Sequence, residues 1–78
     1  PYGLALDKEG RVYVADGRKN EVVRLDGEGK IVERFGKKGH GAGEFDLAHM
    51  LTFDRAGNLF VTDVNGRRVQ KFVRSTKD

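Results

Sequence analysis

Apolar and polar residues alternate along most of this chain, which is the pattern of β-strands that bury one face. Valine, isoleucine, leucine and aromatic residues carry the alternation, and it is interrupted by glycine, aspartate and asparagine, which favour turns. No segment has the apolar period of about 3.6 residues that marks an amphipathic helix. The pattern predicts strands over residues 3–7, 11–15, 21–25, 30–35, 58–62 and 68–72.

The sequence repeats itself once. Segment 6–16 returns as segment 53–63 at an offset of 47 residues (53 − 6), and the match runs without a gap from 4–25 to 51–72. A repeat of this length, made of short strands, is typical of a β-propeller or a β-solenoid. One such repeat forms a sheet that cannot bury both of its faces alone. We therefore expect the chain to be a piece of a larger assembly, or a subunit of one.

Three Asp-x-x-Gly motifs, at 7–10, 26–29 and 54–57, predict tight antiparallel hairpins. The aspartate can accept backbone N–H groups within the turn, and the glycine tolerates the left-handed backbone at its end. Longer connections, at 16–20 and 63–67, join the second and third strands of each repeat. The strands therefore follow one another as meanders.

The predicted fold is all-β, with two consecutive propeller blades. Residues 1–36 form a four-stranded blade, residues 37–48 a Gly-rich loop between the blades, and residues 49–78 an incomplete blade that lacks its outer strand. Phe45 and Leu47 are the apolar residues of the loop, and we expect them to plug the gap between the blades.

Composition limits what the chain can do alone. It has 78 residues, of which 37% are hydrophobic and 35% charged, and it has no cysteine for a disulfide or a thiolate metal site. Stability would then come from oligomerisation or from a larger parent domain. The net charge of +3 fits either ordinary solvation or a phosphate-binding face. The sequence has no membrane-spanning stretch or signal-peptide pattern, and because it begins at proline we expect a trimmed or partial chain whose compartment is unknown.

Together these motifs resemble NHL-repeat β-propellers. The resemblance covers almost the whole chain and rests on the motifs in segments 1–7, 12–16, 34–36, 41–45 and 65–72. It implies blades arranged around a central channel, often six of them, with the first strand of each blade lining the channel. Two blades would then make one third of such a ring.

Segment 45–51 is similar, within that family, to the peptidyl-α-hydroxyglycine amidating lyases, in which a Pro-His pair opens an inner strand. The resemblance implies that His49 is a zinc ligand and that Asp16 and Gly17 belong to a loop whose tyrosine lies at the active site. Arg18 stands at that tyrosine's position and would pair with the substrate carboxylate. Met50 replaces the small residue that follows the histidine, and Ala48 replaces the proline.

The resemblance implies that the parent protein is a zinc-dependent lyase, which cleaves a peptidyl-α-hydroxyglycine to a peptide amide and glyoxylate. Calcium is a further candidate cofactor of the parent propeller. A catalytic zinc site needs three protein ligands and an open position, so the isolated chain would be inactive. Tyr2, the counterpart of His49 in the first repeat, and Arg67, in a basic loop, are further candidate binding residues, with Met50 beside them. His49 as an ordinary hydrogen-bonding rim residue is the alternative.

Two other functions stay open. The chain could be a binding scaffold, with basic loops at 18–19, 37–38 and 67–68 as contacts for a protein or RNA. RNA is the less favoured ligand, because readers of single strands stack bases on exposed aromatic residues and Tyr2 is the one candidate. The chain could instead act only in assembly with further blades, from a parent chain or from other copies. Three copies would close a six-bladed ring and bring three His49 side chains near its axis.

Overall fold

The structure, a computed structural model, describes residues 3–73. The candidate binding residue Tyr2 lies outside the described residues. So does segment 74–78, where the sequence analysis predicted that blade 2 lacks an outer strand. Within them the chain forms seven strands and no helix: β1 (Gly3–Leu6), β2 (Val12–Asp16), β3 (Glu21–Leu25), β4 (Ile31–Phe35), β5 (Ala48–Phe53), β6 (Leu59–Asp63) and β7 (Arg68–Phe72). Accordingly, no helix of residues 3–73 could cross a membrane.

Two antiparallel meanders make up the fold. Strands β1–β4 form one sheet in sequential order, which we call blade 1, and β5–β7 form a second sheet, blade 2. The predicted all-β fold, with one four-stranded and one three-stranded sheet, is confirmed. Strand β5 begins at Ala48, a residue that the sequence analysis assigned to the loop.

The Asp-x-x-Gly turns form as predicted. In each turn the glycine N–H donates to the aspartate backbone carbonyl, at 3.0 Å for Gly10 and 3.1 Å for Gly57. All three turn glycines have positive φ angles, between 81° and 90°. Asp7 Oδ1 also accepts the backbone N–H groups of Glu9 at 3.0 Å and Arg11 at 2.8 Å. The carboxylate therefore replaces the water that would otherwise solvate these donors.

Protonating the turn aspartates should destabilise the fold. Burial raises the pKa of Asp7, but hydrogen bonds from the backbone and side chain of Arg11, and its charge, outweigh burial and hold that pKa below the ordinary value of 3.8. A carboxyl with a lowered folded-state pKa stabilises the fold above its unfolded pKa, and this stability is lost as pH falls through the folded value. We expect Asp7→Asn to flatten the dependence of Tm on pH below about 4, measured by circular dichroism. An unchanged slope would contradict this assignment.

The core lies between the two blades. Tyr13 of β2 meets Phe53 of β5 edge to face with ring centroids 5.0 Å apart, and Phe35 of β4 meets Phe72 of β7 at 5.0 Å. Both separations lie in the favourable range for aromatic pairs. The buried residues of this core come from both blades and the loop: Ala15, Val22, Phe45, Ala48, Leu51, Leu59 and Val61.

Each blade also has a second face with no sheet against it among residues 3–73. The free face of blade 1 is formed by Leu4, Leu6, Val12, Val14, Val23 and Leu25, and the free face of blade 2 by Met50, Thr52, Phe60, Thr62, Val69 and Lys71. Leu4 is 65% exposed and Val69 is 60% exposed. Both free faces therefore present apolar side chains to water.

Candidate functional site at the rim

The sequence-predicted site residues that the structure describes lie at one end of the blades. This end, which we call the rim, consists of the first residues of β1 and β5, the turns at 16–20 and 63–67 and the loop segment 44–47. The Asp-x-x-Gly hairpins lie at the opposite end. The meander explains the grouping, because the start of each inner strand pairs with the end of the next strand.

His49 lies on a β-bulge at the rim. Ala48 pairs with Asp63 and Leu51 with Val61, so His49 and Met50 together stand opposite the single residue Thr62. The Met50 N–H donates to the Thr62 hydroxyl at 2.9 Å, while the His49 side chain is half-buried. Bulges re-aim side chains and are frequent beside functional sites. The position of His49 is thus set by a local backbone feature.

Gly3 is the residue through which β1 approaches this bulge. A Cβ atom built on Gly3 would collide with the His49 carbonyl oxygen and would lie 3.0 Å from the Met50 Cα. Both obstacles are backbone, which cannot move aside as a flexible side chain can. Only glycine therefore allows the two inner strands to meet at this distance.

Asp16 is occupied by its own turn. Its Oδ1 accepts the backbone N–H of Arg18 at 3.1 Å and of Lys19 at 3.3 Å, and Gly17 between them is buried. The side chain of Arg18 is exposed beyond this turn. Asp16 and Gly17 therefore shape the turn, and Arg18 and Lys19 are its exposed cationic side chains.

Arg67 occupies a left-handed position in the turn at 63–67. Its φ is 56°, and its counterpart in the first repeat, Asn20, has φ of 55°. Asparagine suits this region, and its buried side-chain oxygen accepts the N–H of Leu47 at 2.6 Å and of Ala48 at 3.3 Å. This contact ties the first turn to blade 2. Arg67, by contrast, is exposed, and its side chain makes no hydrogen bond or ion pair within residues 3–73.

Arg67→Gly should stabilise the chain. Glycine removes the steric cost of the left-handed conformation, which is about 1–2 kcal/mol for an ordinary residue. Part of that gain is offset by the greater flexibility of glycine in the unfolded chain. We expect a Tm higher by a few degrees in thermal unfolding. Arg55→Gly, in an exposed turn at the other end, is the control and should show no such rise.

Three polar residues hold the rim together, of which the sequence analysis considered only Arg68, as part of the basic loop 67–68. The guanidinium of Arg68 donates to the carbonyls of His40 at 3.0 Å, Gly41 at 2.9 Å and Glu44 at 2.6 Å. Gln70 donates to the Glu44 carbonyl at 2.7 Å and accepts the Gly43 N–H at 2.9 Å. The third is Asp63, which is 1% exposed. The Gly-rich loop is therefore fixed by side chains of β6 and β7.

Asp63 differs from its repeat counterpart Asp16 in what it bonds. Its Oδ1 accepts the N–H of Gly66 at 3.1 Å and of Asp46 at 2.9 Å, and its Oδ2 lies 3.4 Å from Arg68 Nε. One aspartate thus serves a turn, the loop and the arginine. Repeat spacing indicated the turn bond, but no sequence signal indicated the other two.

The described residues do not by themselves make a metal site. Among residues 3–73 no three histidine, cysteine, aspartate or glutamate side chains lie close enough together to hold a metal ion. A catalytic zinc has three protein ligands, so His49 could be at most one ligand of such a site. Two of the predicted basic loops are partly engaged inside the chain. In loop 67–68, Arg68 donates to the Glu44 carbonyl, which leaves Arg67 as the exposed cation. In loop 37–38, Lys37 Nζ lies 3.6 Å from the Glu44 carboxylate.

Comparisons with known proteins agree with this arrangement of blades. No protein-family model matches the chain. It is 30% identical to NHL repeat-containing protein 3 of Homo sapiens, over 97% of this chain and 23% of that protein. The protein of the same name from Mus musculus is 32% identical over the same shares. The chain thus spans about a quarter of the length of these curated relatives.

Among solved structures, a catalytically inactive virginiamycin B lyase from Staphylococcus aureus with quinupristin is similar with a TM-score of 0.65, at 18% identity, over 100% of this chain and 28% of that one. The selenomethionine-substituted form of that lyase gives a TM-score of 0.60 at 17% identity, over 97% of this chain and 28% of that one. Together, the comparisons support an NHL-repeat β-propeller segment. At this level of identity, the likeness of the segment to the lyase concerns the fold.

Proposed function

We propose that this NHL-repeat segment acts as a two-blade binding unit, whose rim contacts an acidic or carboxylate-bearing peptide. The observation that carries the proposal is that some polar rim side chains are bonded within the chain, whereas others are exposed. Asp16, Asp63 and Arg68 are used to hold turns and the loop. The exposed side chains that remain include the cations Arg18 and Arg67.

The rim also carries two exposed apolar side chains. Met50 is 52% exposed and Val64 is 49% exposed. Arginine can bind a carboxylate through two parallel hydrogen bonds, and exposed apolar residues add contact area for a side chain beside it. Surface of this kind suits a peptide better than a nucleic acid, because no aromatic side chain of the rim in residues 3–73 is exposed for base stacking.

Anisotropy of a labelled Asp/Glu-rich peptide tests the proposal. We expect Arg18→Gln and Arg67→Gln each to weaken binding several-fold, and the affinity to fall with salt. Arg55→Gln removes the same charge from the opposite end of the blades and is the matched control. If Arg55→Gln weakens binding equally, the peptide is responding to net charge and the rim is not its site.

A zinc-dependent lyase of the amidating type is the second candidate. It is favoured by the bulge that sets His49 at the rim, beside the Arg18 turn, and by the resemblance of segment 45–51. His49 would be one zinc ligand, with the others supplied by further blades, and Arg18 would bind the substrate carboxylate. Bound zinc would supply Lewis-acid polarisation of the substrate.

Histidine ring signals in NMR, followed during a zinc titration, separate this candidate from the first. The chain offers its own control, because His40 lies in the Gly-rich loop away from the inner strands. If the chain is part of such a lyase, we expect the His49 signals to shift before those of His40, and the shifting signals to be absent from His49→Ala. We expect glyoxylate release only when the further blades are present. Identical responses of His40 and His49 would count against a zinc role for His49.

A further inference from the structure

The two free faces are repeat counterparts of the two faces that pack together inside the chain. Blade 1 packs through Gly3, Ala5, Tyr13 and Ala15, whose counterparts 47 positions later are Met50, Thr52, Phe60 and Thr62 on the free face of blade 2. Blade 2 packs through Leu51, Phe53, Leu59 and Val61, whose counterparts are Leu4, Leu6, Val12 and Val14 on the free face of blade 1. A third blade could therefore cover blade 1 as blade 1 covers blade 2.

The free face of blade 1 has the apolar character that this packing needs. Leu51 is 7% exposed where blade 1 covers it, whereas its counterpart Leu4 is 65% exposed. Leu6, the counterpart of Phe53, is 57% exposed. Covering such side chains is favourable at about 25 cal/mol per Å² of apolar surface. The face is thus suited to a partner sheet.

The free face of blade 2 lacks the glycine that lets the packed face of blade 1 approach its neighbour. Within the chain, Gly3 allows β1 and β5 to meet, and a Cβ atom on residue 3 would collide with the backbone of β5. The counterpart of Gly3 is Met50, and the counterpart of the fully buried Ala15 is Thr62. A second copy that docked in the internal geometry would place the Met50 Cβ against the first strand of its neighbour.

We propose that the free face of blade 1 is a docking surface for a propeller blade that carries glycine at the position of Gly3, and that Met50 prevents a second copy of this chain from docking there. A ring of three identical copies would need Met50 in the place that glycine occupies inside the chain. The proposal goes beyond the proposed function, because it concerns which blade can pack on the free face of blade 1 and does not depend on any ligand of the rim.

Light scattering on Met50→Gly provides the test, because in this variant blade 2 of one copy carries the glycine needed to dock on blade 1 of another. We expect the unmodified chain to have the mass of one copy, 8.7 kDa, and Met50→Gly to form concentration-dependent multiples of it. Met50→Ala is the matched control, since it removes the long side chain but keeps the Cβ atom, and it should stay a monomer. Adding Leu4→Asp to Met50→Gly should restore the monomer.

Several outcomes would overturn the proposal. An unmodified chain that is already a trimer would mean that Met50 does not exclude copies, and a monomeric, folded Met50→Gly would mean that glycine is not the requirement. Equal association of the glycine and alanine variants would contradict the role of the Cβ atom. If Met50→Gly does not fold, Gly3→Ala tests the same contact and should lower Tm by about 5 °C or more. No change in its Tm would overturn the close approach itself.

Discussion

Replacing Phe45 with alanine is expected to cost about 3–5 kcal/mol of the free energy of unfolding. The Phe45 side chain is fully buried between the blades, with its ring centroid 6.0 Å from that of Phe72. Alanine would leave a cavity in the middle of the core. Because small domains are stable by only about 5–15 kcal/mol, this loss is a large fraction of the total free energy of unfolding. Urea denaturation followed by circular dichroism would measure the loss.

Phe60→Ala is the matched control for this prediction. Phe60 lies on the free face of blade 2, half-buried, with Lys71 Nζ 5.7 Å from its ring centroid. The same atoms are removed without opening an internal cavity, so we expect a loss of about 1 kcal/mol. Equal losses for the two variants would show that Phe45 does not fill the space between the blades.

Asp63→Ala is expected to have the second largest effect, about 2–4 kcal/mol. The substitution leaves two part-buried backbone N–H groups, those of Asp46 and Gly66, without their acceptor. A fully buried unsatisfied donor costs about 1–3 kcal/mol, and partial access to water keeps the cost of each of these two toward the lower end of that range. It also removes the carboxylate beside the Arg68 guanidinium. Thermal unfolding and hydrogen exchange at Asp46 and Gly66 would measure the loss and its location.

The repeat supplies the control for this experiment. Asp16 holds the corresponding position, but the two donors it accepts, from Arg18 and Lys19, are exposed and can bond to water once the carboxylate is gone. Asp16→Ala should therefore cost no more than about 1 kcal/mol. A larger effect on stability for Asp16 than for Asp63 would reverse the structural roles assigned to the two aspartates.

The strands and turns were predictable from the sequence because their signals are local. Alternation located six of the strands to within a residue or two, and aspartate with glycine three residues later marked each hairpin. The repeat supplied the meander order. The free faces could also be anticipated, since one sheet cannot be covered on both sides by a single neighbour.

The rim was less predictable because its contacts join residues far apart in the chain. Asp16 and Asp63 look alike in the sequence, yet one is half-buried in a turn and the other is 1% exposed and bonded to the loop. Arg68, which the sequence analysis offered as part of a ligand-binding basic loop, instead donates to three loop carbonyls. Glycine at position 3 carried no local signal for the approach of β5, because the collision depends on where the second blade lies.

The anchoring of the loop by Arg68 and Gln70 also sets an order of events during translation. The carbonyls of His40 and Glu44 are bonded by residues 24 to 28 positions further along the chain. A ribosome adds about 5–20 residues per second, so the loop emerges seconds before its anchors. Until β7 has been synthesised, the loop that carries Phe45 lacks the bonds that fix it. The nascent chain is therefore expected to bury its blade interface only late in synthesis, and to need protection until then.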